Sequence, residues 1–170
     1  MADPPEGGAA DDTGGRPSNV RPDLRTIGID LGSRRIGVAV SNSEGTLAMP
    51  YEVVLRSGDR ALDHRRIAEL VAEAEANRVV VGLPLSLDGS TGPAAKAALE
   101  EAAELAAAIG VPVETYDERL TTVTAHRGLM EARMRAEARR RVVDKVAAAV
   151  MLQAWLDTKR AGAAEPSEAG

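Results

Sequence analysis

Two apolar stretches joined by only four residues constrain this chain more than any other feature. Thr26–Leu31 reads TIGIDL, Gly-Ser-Arg-Arg follows, and Ile36–Ser43 reads IGVAVSNS. A third stretch, Leu47–Leu55, comes after a turn holding Glu44 and Gly45. Strands joined this closely can only be antiparallel neighbours, because a parallel partner needs a crossover of about a dozen residues. The chain therefore opens as a meander. Its first strand carries a single acid, Asp30, near its end. An unpartnered charge buried there would cost several kcal/mol, so the position calls for a reason.

Beyond Leu55 the apolar period lengthens. Asp59 can cap a helix reaching about Ala76, with Leu62, Ile67, Leu70 and Val71 on its apolar face. Arg78–Leu83 is a continuous apolar run, as expected of a strand buried on both faces. Pro84–Gly92 is a loop. Pro93 opens a second helix and Gly110 closes it. Val111–Tyr116 is the fifth strand, and Asp117-Glu-Arg-Leu-Thr-Thr leads into a third helix ending near Met130. Residues 131–140 carry little apolar content and stay open between helix and coil. Val142–Lys159 forms a last helix, its stripe made of Val143, Val146, Ala147, Val150, Met151, Ala154 and Trp155. Right-handed βαβ crossovers make strands 1, 4 and 5 parallel. The pattern predicts an α/β fold with a five-stranded mixed sheet in βββαβαβα order and helices on both faces. In such sheets chemistry gathers at the carboxyl ends of the parallel strands. Asp30, the Gly82–Gly92 loop and Glu118 share that edge.

Composition enters by exclusion. Cysteine is absent, which removes disulfides, thiolate metal sites and thiol nucleophiles. Phe is absent too, and one Trp and two Tyr are too few for a base-stacking platform. No run approaches the roughly 18–20 apolar residues of a membrane span. The acidic, Pro/Gly-rich start is no signal peptide. A cytoplasmic protein is expected. Residues 1–24 and 161–170 hold too little apolar surface to offset chain entropy and read as a disordered acidic leader and a disordered tail, leaving one domain over 25–160. The net charge of −5 comes from these ends. Setting aside the leader's five acids and two arginines and the tail's two acids leaves the domain neutral. Its charge is uneven, however. Residues 127–145 hold seven basic side chains, Arg139, Arg140 and Arg141 among them, against three acids. That surplus suits a polyanion, although a solvated helix flank would look the same.

Four acids fall near one edge: Asp30 after strand 1, Asp117 and Glu118 after strand 5, and Asp144 in the first turn of the last helix. On a helical wheel Asp144 lies between Met151 and Trp155, at the rim of the apolar stripe. Each has a plainer role available: a turn aspartate at Asp30, a helix cap at Asp117 or Glu118, a dipole partner at Asp144. Three carboxylates converging from separate elements would repel one another unless a cation sat between them. Oxygen donors favour Mg²⁺ or Mn²⁺. Two such ions about 3.5–4 Å apart can activate a water and stabilise the leaving oxygen of a phosphodiester, with nearby arginines, Arg34 and Arg35 included, holding phosphates. His64 and His126 read as structural. Ser86 and Ser90 have no paired base, and no Gly-x-Gly-x-x-Gly or P-loop is present.

Gly28-Ile-Asp-Leu-Gly-Ser-Arg-Arg-Ile-Gly-Val-Ala-Val-Ser, Val81-Gly-Leu-Pro-Leu-Ser-Leu-Asp-Gly-Ser, Asp117-Glu-Arg-Leu-Thr-Thr and Asp144-Lys-Val-Ala-Ala together resemble the YqgF/RuvX family, in the family's order and over about residues 25–160. The resemblance implies an RNase H-like fold and a metal-dependent nuclease, described either as a Holliday junction resolvase or as a nuclease maturing the 5′ end of pre-16S rRNA. It implies Asp30, Glu118 and Asp144 as catalytic and metal-binding acids, and Asp117 as a supporting acid behind them. Gly82, Pro84 and Arg119 become substrate-facing, beside Arg34, Arg35 and Arg139–Arg141. Two positions depart from the pattern: many members carry Asn where Ser86 stands and an acid where Asn42 stands. A resolvase would be a symmetric homodimer. Two other classes compete. An actin- or sugar-kinase-like ATP-binding protein shares the Asp-x-Gly turn but needs two lobes. A nucleic-acid-binding module without catalysis would have no use for acids beside phosphates.

Overall fold

The computed structural model describes residues 23–84, 91–118 and 136–164, with side chains of the last segment described over 142–162. Five strands form one sheet: β1 (Thr26–Leu31), β2 (Arg35–Ser41), β3 (Ala48–Leu55), β4 (Arg78–Leu83) and β5 (Val113–Asp117). Among the described residues three helices flank it: α1 (Arg60–Glu73), α2 (Pro93–Ala108) and α3 (Ala136–Ala164). The strand order is β3-β2-β1-β4-β5. As the short connections require, β1 pairs antiparallel with β2, and β2 with β3. The helical crossovers make β4 parallel to both β1 and β5. The mixed α/β architecture is the one the sequence pattern predicts. The helix expected between Glu118 and Met130 lies outside the described residues, as do 1–22 and 165–170.

Element ends differ from expectation for identifiable reasons. β2 stops at Ser41 rather than Ser43 because the Asn42 Oδ1 accepts from Thr46 N (2.8 Å) and Leu47 N (3.1 Å), closing a turn. α1 is capped by Asp59 as expected, through bonds from Ala61 N and Leu62 N. It ends at Glu73 instead of Ala76. Ala76 N bonds to Val71 O and Glu75 N to Ala72 O, a double closure that places Glu75 at φ 53°. β5 begins at Val113 because Pro112 has no N–H to give the ladder, although its carbonyl accepts from Val79 N.

The sheet's two faces are built differently. Ile27 and Ile29 of β1, Ile36 and Val38 of β2 and Val79 and Val81 of β4 meet Ile67, Leu70 and Val71 of α1 and Leu105 of α2 in an aliphatic core. On the other face, Ala39 and Val80 meet α3 through Ala147, Ala148, Met151, Leu152, Trp155 and Leu156. α3 comes close to this face because β1 offers it Gly28, where a Cβ would stand 2.8 Å from the Leu152 Cβ. The stripe that packs is rotated from the expected one. Ala148, Leu152 and Leu156 are buried, whereas Val146, Val150 and Ala154 are only half-buried. Helical apolar spacing fits several phases, and the room left by Gly28 favours the phase that seats Leu152 there.

Charge is also buried on the α1/α2 side. Arg56 donates to both carboxylate oxygens of Glu101, at 2.8 and 2.9 Å. The His64 Nε2 donates to Glu101 Oε1 at 2.9 Å, since a carboxylate can only accept. His64 is therefore structural as expected, and it is buried on α1. Burial alone would raise the Glu101 pKa. The hydrogen bonds from Arg56 and His64 outweigh that and hold it below the ordinary glutamate value. A carboxyl depressed on folding stabilises fully above its unfolded pKa, and the gain is lost as pH falls through the folded one. Glu101→Gln is expected to cost about 3 kcal/mol at neutral pH, as for a broken buried pair. Urea unfolding should show that deficit shrinking once the pH drops below about 4.3, the usual glutamate value.

Candidate active site

Asp30 sits inside β1, buried, one residue before the strand ends. Side chains alternate along a strand, so Gly28 and Asp30 face α3 while Ile27 and Ile29 face the aliphatic core. The partner of Asp30 on β2 is Gly37. On β4, Ile29 pairs with Val81, which sets Gly82 beside Asp30 on the other side. Asp30 is thus the only side chain in a row of three positions. Gly82 in turn pairs with Tyr116 of β5.

The space left by each glycine is filled by another acid-bearing segment. A Cβ on Gly37 would lie 2.2 Å from the carbonyl oxygen of Asp144 and 3.4 Å from its Cβ. A Cβ on Gly82 would lie 2.4 Å from Oε1 of Glu118, which follows β5. Asp144 and Glu118 therefore lie over the row on either side of Asp30, on the same face. The sequence places Asp30, Glu118 and Asp144 at one edge; in the structure Asp144 lies against Gly37 and Glu118 against Gly82, the two positions that flank Asp30.

Two details sharpen the reading. Helix α3 starts at Ala136, so Asp144 lies in its third turn, not its first. The upstream Ala, Glu and Arg residues are good helix formers and contain no breaker, so the helix extends back through them. The plainer role of Asp144 as a first-turn dipole partner disappears. In the observed phase Asp144 also sits between buried Met151 and Trp155 with Val143, Ala147, Ala148 and Leu152 buried on either side. That is the middle of the packed face rather than its rim.

The other proposed residues are placed as follows. Arg34 is exposed in the β1–β2 turn, and Arg35 is half-buried at the start of β2, on the same strand face as Gly37. Pro84 is exposed just after β4. Asp117 ends β5 paired with Leu83, so alternation turns it to the face opposite Glu118. Arg139, Arg140 and Arg141 belong to α3, about one turn before Asp144. Arg119 and His126 lie outside the described residues. Trp155 offers no stacking surface. It is buried, its indole N–H points to Glu114 Oε2 (3.3 Å), and the cations of Arg78 and Lys159 lie 5.5 and 5.3 Å from its ring.

The donor set is oxygen only, the kind that Mg²⁺ or Mn²⁺ takes. Among the described residues no three acidic, His or Cys side chains are already closed around a point where an ion could sit. The fit rests on donor chemistry and on the two glycines that make room for the flanking acids. Sequence reasoning passed over Gly37. Its signal was a glycine in a strand interior, which often marks close approach of another backbone.

A five-stranded mixed sheet with one buried acid, Asp30, near the carboxyl edge of its parallel strands makes this an α/β protein of the expected strand order. Residues 24–158 match the family described as RuvX, Holliday junction resolvase, and the chain belongs to that family. A relative from Mycobacterium sp. (strain KMS), named "Putative pre-16S rRNA nuclease", is 52% identical over 147 residues, 86% of this chain and 87% of its own length. One from Myxococcus xanthus (strain DK1622) with the same name is 47% identical, covering 81% of this chain and 90% of that protein. A structure of Thermus thermophilus RuvC in complex with Holliday junction substrate overlays with a TM-score of 0.49 at 19% identity, covering 81% of this chain and 96% of that one.

The two glycines predict contrasting variants. Gly37→Ala drives a methyl into helix backbone and should destabilise by about 1–3 kcal/mol or more. Gly82→Ala meets the mobile end of Glu118, so thermal melting should change little while the displaced carboxylate lowers activity. Equal loss of stability in both would contradict this placement.

Proposed function

We propose that this chain is a metal-dependent nuclease that hydrolyses phosphodiester bonds in structured nucleic acid, with 5′-end processing of pre-16S rRNA as its task. The carrying observation is the Gly37–Asp30–Gly82 row overlaid by Asp144 and Glu118. Relatives about half identical over most of the chain bear the pre-16S rRNA nuclease name, which supports RNA as substrate.

In this reading Asp30, Glu118 and Asp144 hold Mg²⁺ or Mn²⁺. Held by these acids, such an ion would make an attacking water more acidic and would offset charge on the leaving oxygen. The chain's own residues do the positioning. β1 fixes Asp30 at the centre of the sheet, where the backbone on both sides is held by ladder bonds. α3 carries Asp144 and, about 6 Å back along its axis, Arg140 on one rigid rod, so phosphate contact and acid keep a set spacing. Arg34, Arg35, Arg119 and Arg139–Arg141 are assigned to phosphates, Gly82 and Pro84 to the substrate-facing loop, and Asp117 to a supporting role. No described helix is long and apolar enough to cross a membrane. The proposed setting is the cytoplasm.

The family description favours a second reading, resolution of four-way DNA junctions. That reading requires a symmetric dimer so that two strands are cut as a pair. Parallel assays on a precursor rRNA fragment and a four-way junction, with and without metal, decide between them. In either case Asp30→Asn should lower cleavage by at least about 10²-fold, the scale for losing one charge-stabilising group, with an unchanged circular dichroism spectrum. Undiminished cleavage would overturn the site. Replacing Arg139, Arg140 and Arg141 with Gln should flatten the log K against log salt slope by up to about 2–3, or 0.7–0.9 per lost phosphate contact. An unchanged slope would mean these residues do not meet phosphate.

A further inference from the structure

Arg56 grips the turn after Asp30 from two sides. Its Nε donates to the carbonyl of Gly32 at 2.8 Å, and its backbone N–H donates to the carbonyl of Arg34 at 3.0 Å. These two carbonyls flank Ser33 at the tip of the β1–β2 connection. The turn has little freedom of its own. Gly32 N donates to Asp30 O at 3.2 Å, and a Cβ on Gly32 would come within 2.4 Å of the Arg35 carbonyl oxygen. A shift of the Gly32 peptide is therefore passed back to the backbone of Asp30.

The far end of Arg56 is fixed as firmly. Both of its terminal nitrogens are bound by Glu101 of α2, and Glu101 is held by His64 of α1. Glu101 and His64 are 3% and 4% exposed. A buried ionic group of this kind is a poor source of stability, because desolvation cancels most of its attraction and well-packed apolar residues would do as well. It does supply direction. Only a guanidinium can span a carboxylate with two nitrogens while its third meets a carbonyl. The Arg56 side chain leads from the helices on one face of the sheet to the turn that bears the acid on the other.

We propose that Arg56, clamped by Glu101 and His64, is a positioning residue that fixes the Asp30–Arg35 turn and so aims the Asp30 carboxylate at the metal ion. This rests on the metal-dependent reading above. The competing account is a clamp that only fastens α1 to α2. The neighbouring pair Arg60–Glu104, 2.9 Å apart, provides the comparison, since it joins the same two helices at the surface and reaches Glu101 only through its charge.

The test compares the full-length chain with Arg56→Lys, Glu101→Gln and Arg60→Gln. Mn²⁺ affinity is measured by calorimetry without nucleic acid, and amide exchange is followed over residues 30–36. Arg56→Lys and Glu101→Gln should each weaken Mn²⁺ binding about 10–100-fold, the range for lost partners behind metal ligands. Both should speed exchange in the turn and lower kcat while leaving the nucleic-acid KM unchanged. Arg60→Gln, which cuts the helix–helix pair but leaves every hydrogen bond of the triad in place, should move all four far less than Arg56→Lys or Glu101→Gln. His64→Asn, which removes only one of Glu101's partners, is the milder variant and should move the same readouts less. If Arg56→Lys and Glu101→Gln melt earlier yet bind Mn²⁺ as tightly as the parent, the triad is only a helix clamp and the inference falls. If the parent itself binds no Mn²⁺, the metal-dependent reading fails first and this one falls with it.

Discussion

The close seating of helix α3 on the sheet is the constraint on which the rest depends. It is possible only where the sheet has no side chains. Gly28 lets in Leu152, and Gly37 lets in the backbone of Asp144. A single methyl at either point would collide with atoms that cannot easily give way. The glycines weaken their strands slightly, by about 0.5–1 kcal/mol each relative to Ala. In return α3 buries a full face of Ala, Met, Leu and Trp side chains and sets Asp144 directly against Gly37 of β2.

That seating explains why the two faces differ so much. The α1/α2 face is packed with Ile, Val and Leu, and its bulk keeps the sheet rigid. The α3 face carries two glycines and one aspartate, Gly37, Gly82 and Asp30, along the row nearest the active edge. Rigidity on one side and room on the other are complementary. An acid held over a bulky surface would have no space for a second acid or for a phosphate. An acid held on a sheet without a dense opposite face would lose its aim. Arg56 joins the two, since it leaves the end of β3, is anchored among the helices and holds the turn that follows Asp30.

Much of the scaffold was legible in the sequence because it depends on local rules. The first and fourth strands fall at Thr26–Leu31 and Arg78–Leu83 as their apolar runs predict, and short turns settle the pairing of the first three. The phase of α3 was not legible. Val146, Val150 and Ala154 suit a helical stripe as well as Ala148, Leu152 and Leu156 do, and only the glycines across the interface separate the two. The start of α3 was missed for a related reason, since a charged helix without a dense apolar stripe resembles coil in a periodicity search. Arg56, Glu101 and His64 were invisible as a group because they are far apart in the chain and each is ordinary by itself. Asn42, noted only as a departure from the family pattern, turned out to end β2.

The Asp-x-Gly turn alone does not separate a nuclease from a phosphate-binding kinase, because both need an acid at the mouth of a central strand. What separates them is what stands beside that acid. A kinase lobe leaves the space next to it for a nucleotide delivered by a second domain. Here Gly82 and Gly37 give that space to Glu118 and to the Asp144 segment of the same small domain. Two more carboxylates in the place of a nucleotide phosphate would repel it. The same carboxylates around a divalent ion reverse the local sign and make the edge attractive to a phosphodiester. In the proposed reading, the glycine on each side of Asp30 is therefore the feature that separates the two chemistries, through the acids it admits.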